Sequence, residues 1–151
     1  MASTISAATL TVTHTEALTL NGVDRGVTNT LTIASVNEVD HRIMTIPTGS
    51  LSTVVSMGAA AAAGTFINSG VKYIRITNKD DTNFVTLGLE ASGDAAYFKI
   101  KAGETFVIYS DDLDANNAVI AHGSIAFGDI VNIKAKADTA TVDLEVFVAS
   151  T

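Results

Sequence analysis

Cysteine and tryptophan are absent from this 151-residue chain, and proline occurs once, at Pro47. Without thiols there can be no disulfide, no thiolate metal ligand and no cysteine nucleophile, so stability must come from packing. Charge is also scarce, at 17% of residues against about 25% in ordinary soluble domains. What charge there is leans acidic, with a formal net charge of −7. That balance opposes a phosphate-binding surface, which depends on clustered lysine and arginine. The nine basic residues are dispersed; Lys72 with Arg75 and Lys134 with Lys136 are local groupings expected on solvated strand faces. No run of about 18 apolar residues occurs, so no membrane-spanning helix is expected. The segment before Arg25 has neither a basic side chain nor the unbroken apolar core of a signal peptide, which argues against classical secretion. Neither nucleic acid nor membrane is expected as a partner.

Threonine, valine and isoleucine together make 48 of the 151 residues. Their branched side chains lose rotamer freedom in a helix and fit a pleated surface, so an all-β fold is expected. The length suits one domain with a sizeable core. No linker-like stretch divides it, giving a single domain over 10–151 behind a flexible N-terminal arm, 1–9. The 22 alanines raise the apolar fraction without implying sticky patches, yet the low charge favours some surface covered by a partner.

Alternating apolar residues mark the strands. Leu10 and Val12 oppose Thr9, Thr11 and Thr13, and Leu18 and Leu20 precede an Asn21-Gly22 turn; these predict paired or neighbouring strands. Further strands are expected at Leu31–Ile33, Arg42–Ile46, Leu51–Ser56, Val119–His122, Ile130–Lys136 and Val142–Val148. The last sets Val142, Leu144, Val146 and Val148 inward and Asp143 and Glu145 outward. Five alanines between Gly58 and Gly64 fall short of two helical turns, so a loop or at most one turn is expected there. Ile74, Ile76, Val85, Leu87 and Leu89 predict a buried hairpin joined through Asn78–Asn83, with Tyr73 and Arg75 facing away. Phe98 and Ile100, then Phe106 and Ile108, predict a second hairpin around Ala102-Gly103-Glu104. Asp111–Asn117 reads as an acidic loop. About ten strands without a helical period fit an antiparallel β-sandwich, preferably a jelly roll. Closed barrels and immunoglobulin-like sandwiches are the alternatives, although the Cys-Trp-Cys signature of true immunoglobulin domains is excluded.

Reactive groupings are thin. His14, His41 and His122 show no metal-pair spacing, and His14 lacks the His-x-His partner of a cupin site. Asp112, Asp114 and Asn116 imitate the first half of a calcium loop, but Asn117 stands where glycine is needed and Gly123 where a bidentate glutamate belongs. Asp80 and Asp81 read as solvated turn residues. Elbow, Ser-x-x-Lys and phosphate-loop motifs are missing. Glu38, Glu90 and Glu104 are the candidates for paired carboxylates, and Tyr73, Tyr97 and Tyr109 for a sugar-stacking platform. Structural roles are preferred for all of them, so no catalytic, cofactor or metal residue is assigned and no enzyme is expected.

The segments VDHRIMTIPTG from Val39, KYIRITNKDDTNFVTLGLE from Lys72, FKIKAGETFVIYS from Phe98 and the terminal VDLEVFVAST resemble small virion structural proteins of tailed, marine-type bacteriophages. The resemblance covers nearly half the chain and carries no functional residue with it. It implies a non-enzymatic capsid decoration, or cement, protein with a jelly-roll-like sandwich, present on the head in many copies and assembled into the virion in the host cytoplasm. The implied partners are the major capsid protein or other virion proteins and further copies of itself. A tail, neck or fibre-associated accessory and a carbohydrate-binding module are the alternatives. Contact is expected through Met1–Thr9, Gly58–Gly64 and Asp111–Asn117.

Overall fold

The computed structural model describes residues 5–91, 94–109, 114–116 and 127–151. Two sheets face one another across an apolar core, making an all-β, antiparallel sandwich. The first holds β5 (Glu38–Ile46), β8 (Val71–Asn78), β11 (Thr105–Tyr109) and β14 (Val142–Ser150) in the order β11-β8-β14-β5. The second holds β6 (Ser52–Gly58), β7 (Phe66–Ile67), β9 (Val85–Ala91), β10 (Asp94–Ile100) and β13 (Phe127–Ala137) in the order β10-β9-β13-β6-β7. A short strand, β12 (Asp114–Asn116), pairs with β13 beside them. The acidic loop expected over 111–117 is therefore strand at its centre; its other residues, His122 and the strand expected at 119–122 lie outside the described residues.

Period-two patterning predicts the inward faces of β8, β9 and β14 correctly. Val142, Leu144, Val146 and Val148 are wholly buried while Asp143 stays exposed. Ile74, Ile76, Val85 and Leu87 are wholly buried too, and Leu89 nearly so. The Gly58–Gly64 segment is a loop, as expected, and Gly64 adopts a positive φ of 74° in it.

Strand partners differ from the sequence expectation. β8 does not pair with β9, nor β10 with β11: β8 lies between β11 and β14, whereas β9 lies between β10 and β13. The chain instead forms an antiparallel ribbon in which β9 pairs with β10 and β8 with β11, folded over from one sheet to the other. The expected hairpin loops are the two corners of that fold. A second ribbon, with β5 on β14 and β6 on β13, turns the same way.

Asn78 holds the first corner together. Its side chain is fully buried, and its Nδ2 donates to the carbonyls of Asn83 and Ile100 at 2.9 and 3.2 Å. Its Oδ1 accepts the Asp80 N–H at 2.9 Å, and its own N–H and C=O bond Glu104 and Gly103 of the opposite corner. Burying an amide is tolerable when every donor and acceptor is paired, as here. The Asp80 carboxylate accepts N–H groups from Asn83 and Thr82, which hold its pKa below the usual carboxylate value. Gly103, at φ 74°, supplies the left-handed residue the facing turn requires.

The N-terminal part adds a feature outside the two sheets. β1 (Ala8–Glu16) and β4 (Val27–Val36) form a long two-stranded ribbon, and β2 (Thr19–Leu20) and β3 (Val23–Asp24) form a small hairpin at its tip. Asn21 and Gly22, both at positive φ, make the expected turn there. Ala8 and Thr9, assigned to the arm on sequence, already belong to β1, because Ala8 is in register with Val36. Leu18 and Leu20 follow β1 but do not pair with it; Leu20 sits opposite Val23 instead.

Candidate functional site

The outer face of the first sheet carries a second apolar cluster, separate from the main core. Tyr73 and Ala149 are buried there beneath Ile33 and Val36 of the ribbon, with Leu10, Val12, Leu31, Val107 and Phe147 packed around them. This second apolar cluster fastens the ribbon to the sandwich. Burial raises the Tyr73 phenol above its usual pKa, with the neighbouring Arg75 charge acting in the opposite direction. His14, on the ribbon, lies nearly parallel to the Tyr109 ring with centroids 6.3 Å apart.

Next to the fastened region is a charged cluster drawn from three strands. Glu145 on β14 accepts hydrogen bonds from Arg75 Nη2 at 2.6 Å and from His41 Nε2 at 3.2 Å, and Lys79 Nζ lies 3.6 Å away. The Arg75 hydrogen bond, then that from His41, holds the Glu145 carboxyl down to about 2 from a usual 4.5. A depressed acid stabilises the fold above its unfolded pKa, and that contribution is lost as pH falls through the folded value. Stability should therefore fall between about pH 4.5 and pH 2. Glu145→Gln should lose part of this pH dependence, read from thermal melts across that range. An unchanged pH profile in the variant would show that Glu145 does not carry it.

The other sequence candidates are scattered. Glu90 is on the second sheet, bonded to Lys134 at 2.9 Å, and Glu104 accepts the Lys101 N–H at its corner. Glu38 begins β5 on the first sheet. Tyr97 lies over Gly88 on the second sheet, so close that a Cβ at Gly88 would stand 2.9 Å from its ring. Tyr73 and Tyr109 are cross-strand neighbours on the first sheet, so the three tyrosines share no platform. Arg75 and Lys134, expected on solvated faces, are half-buried members of ion pairs. Among the described residues no three His, Asp or Glu side chains gather as a metal site, and no helix is long and apolar enough to cross a membrane. An open groove of about 520 Å³ beside β4 is lined by Leu31, Ile33, Ser35, Lys72, Tyr109 and Thr151.

Sequence reasoning missed the ribbon tip. Leu18, Leu20, Val23 and Val27 are each at least half exposed there, on and beside the β2–β3 hairpin. Their spacing matched that of strand residues with a buried face. Gly26 permits the tight return into β4: a Cβ at that position would come within 2.5 Å of the Glu16 carbonyl oxygen.

The fold thus belongs to the broad class of antiparallel β-sandwiches, elaborated by a fastened two-stranded ribbon. No protein-family model, curated protein or solved structure matches the chain.

Proposed function

We propose that this chain is a non-enzymatic structural component of a tailed-phage virion, a capsid decoration protein that attaches to the head in many copies. The observation that carries the reading is the ribbon tip: four aliphatic side chains are displayed in water on a strut anchored to a stiff scaffold. Four half-exposed aliphatic side chains within ten residues, two of them directly opposite on the hairpin, support a protein contact there. The strand orders β5-β14-β8-β11 and β6-β13-β9-β10, reached by folding two ribbons over, support the jelly-roll form of the sandwich. Repetition over a symmetric shell would multiply a small contact into firm attachment.

The partner is the major capsid protein or a neighbouring virion protein. Cryo-electron microscopy of the particle carrying the chain is the test. Density repeating over the head supports the proposal, and density confined to one vertex or the tail refutes it. Replacing Leu18, Leu20, Val23 and Val27 together by serine should leave the sandwich folded, because all four lie outside the two buried clusters. Head binding measured by co-sedimentation should weaken at least tenfold. Undiminished binding would remove the tip from the interface.

A further inference from the structure

We infer that β5 is the dimer edge of this protein, pairing antiparallel with β5 of a second copy about a two-fold axis at His41. β5 is nine residues long and paired with β14 along its whole length. Among the described residues no strand pairs with its other edge. A long open edge presents a row of free N–H and C=O groups, and inward-facing charges on such an edge deter any pairing that does not set each against its opposite.

The side chains select both the occupant and the register. Val39 and Ile43 lie on the outer face of the sheet, 54% and 64% exposed. On the other face Asp40 and Arg42 form an ion pair, and Arg42 Nη2 also donates to the Val54 carbonyl. A two-fold axis perpendicular to a sheet leaves every side chain on its own face, so residues of like parity oppose one another. With His41 opposite His41 of the copy, Val39 faces Ile43 on one side and Asp40 faces Arg42 on the other, twice over. Each ion pair then becomes part of a closed ring of four alternating charges. Registers centred on Asp40 or Arg42 would instead set like charges face to face, which is destabilising. A groove of about 220 Å³ beside the strand, bordered by Asp40, Arg42, Val55, Gly64 and Phe66, leaves room for the partner's side chains.

This inference goes beyond the proposed head attachment and names a surface through which two copies meet. Its test uses the free chain without any particle, so failure here leaves head attachment to be judged separately. Sedimentation equilibrium of the purified chain should show a dimer. Asp40→Arg, which sets two arginines opposite one another, and Ile43→Lys, at an exposed site, should each weaken it at least tenfold while circular dichroism stays unchanged. The swap Asp40→Arg with Arg42→Asp restores opposite charges across the axis and should recover the dimer. A wild-type chain that stays monomeric, or a dimer that survives folded Ile43→Lys, overturns the inference. A swap that fails to restore what Asp40→Arg removes overturns the His41-centred register.

Discussion

Ile76→Asp is expected to yield no folded protein. Ile76 is wholly buried on β8, the strand flanked by both β11 and β14, and it belongs to the main core cluster. Losing a buried isoleucine side chain costs about 2–5 kcal/mol. An unpaired carboxylate in its place adds several kcal/mol more, whether it stays charged or takes up a proton. Against a typical domain stability of about 5–15 kcal/mol, the sum consumes most or all of the folding free energy. Circular dichroism and proteolysis should report an unfolded, rapidly digested chain, and any assembly should be lost with the fold. A variant that melts cooperatively near the wild-type temperature would overturn the placement of β8 at the centre of its sheet.

Asn78→Ala carries the second-largest expected effect. It removes the amide partner of the Ile100 carbonyl, which is buried, and of the Asn83 carbonyl and the Asp80 N–H, which are partly buried. Leaving such groups unpaired costs about 1–3 kcal/mol each where water cannot enter. Relaxation of the corner should limit the total to about 2–4 kcal/mol, which for a chain of this size lowers the melting temperature by about 5–15 °C. Urea unfolding monitored by tyrosine fluorescence measures the loss. Asn78→Asp keeps the acceptor for Asp80 but turns a carboxylate toward two carbonyl oxygens, so it should be no more stable than the alanine variant. If either replacement cost under about 0.5 kcal/mol, the corner would not depend on this amide.

The two predictions also divide what could be read in the sequence from what could not. That Ile76 faces inward follows from alternation with Tyr73 and Arg75, because successive side chains on a strand point to opposite faces. That Asn78 is the pivot of a corner does not follow. NKDDTN has the composition of a hairpin loop, and the same Asn and Asp side chains that close a loop can turn a strand from one sheet into the other. The runs on either side alternate identically in both arrangements.

The candidate surfaces show the same limit. Val39 and Ile43 alternate with charged residues whether β5 is central or at an edge, and its edge position emerges only from the sheet order. Leu18 and Leu20 resemble core residues in sequence and are exposed at the ribbon tip. Of the expected contact segments, Gly58–Gly64 is an exposed loop for the most part, whereas Met1–Thr9 runs into β1 and Asp111–Asn117 contains β12.

By itself the sequence determined an all-β chain without thiol chemistry, the faces of its strands and the sites of its turns, because these depend on local sterics and a two-residue period. The tertiary structure decided which strands pair, which turns are corners, which aliphatic groups remain in water and that Glu145 meets Arg75 and His41. Those outcomes depend on contacts between residues far apart in the chain, such as Glu38 with Ser150 and His41 with Glu145, and no local pattern encodes which of several equally well-patterned strands becomes the neighbour.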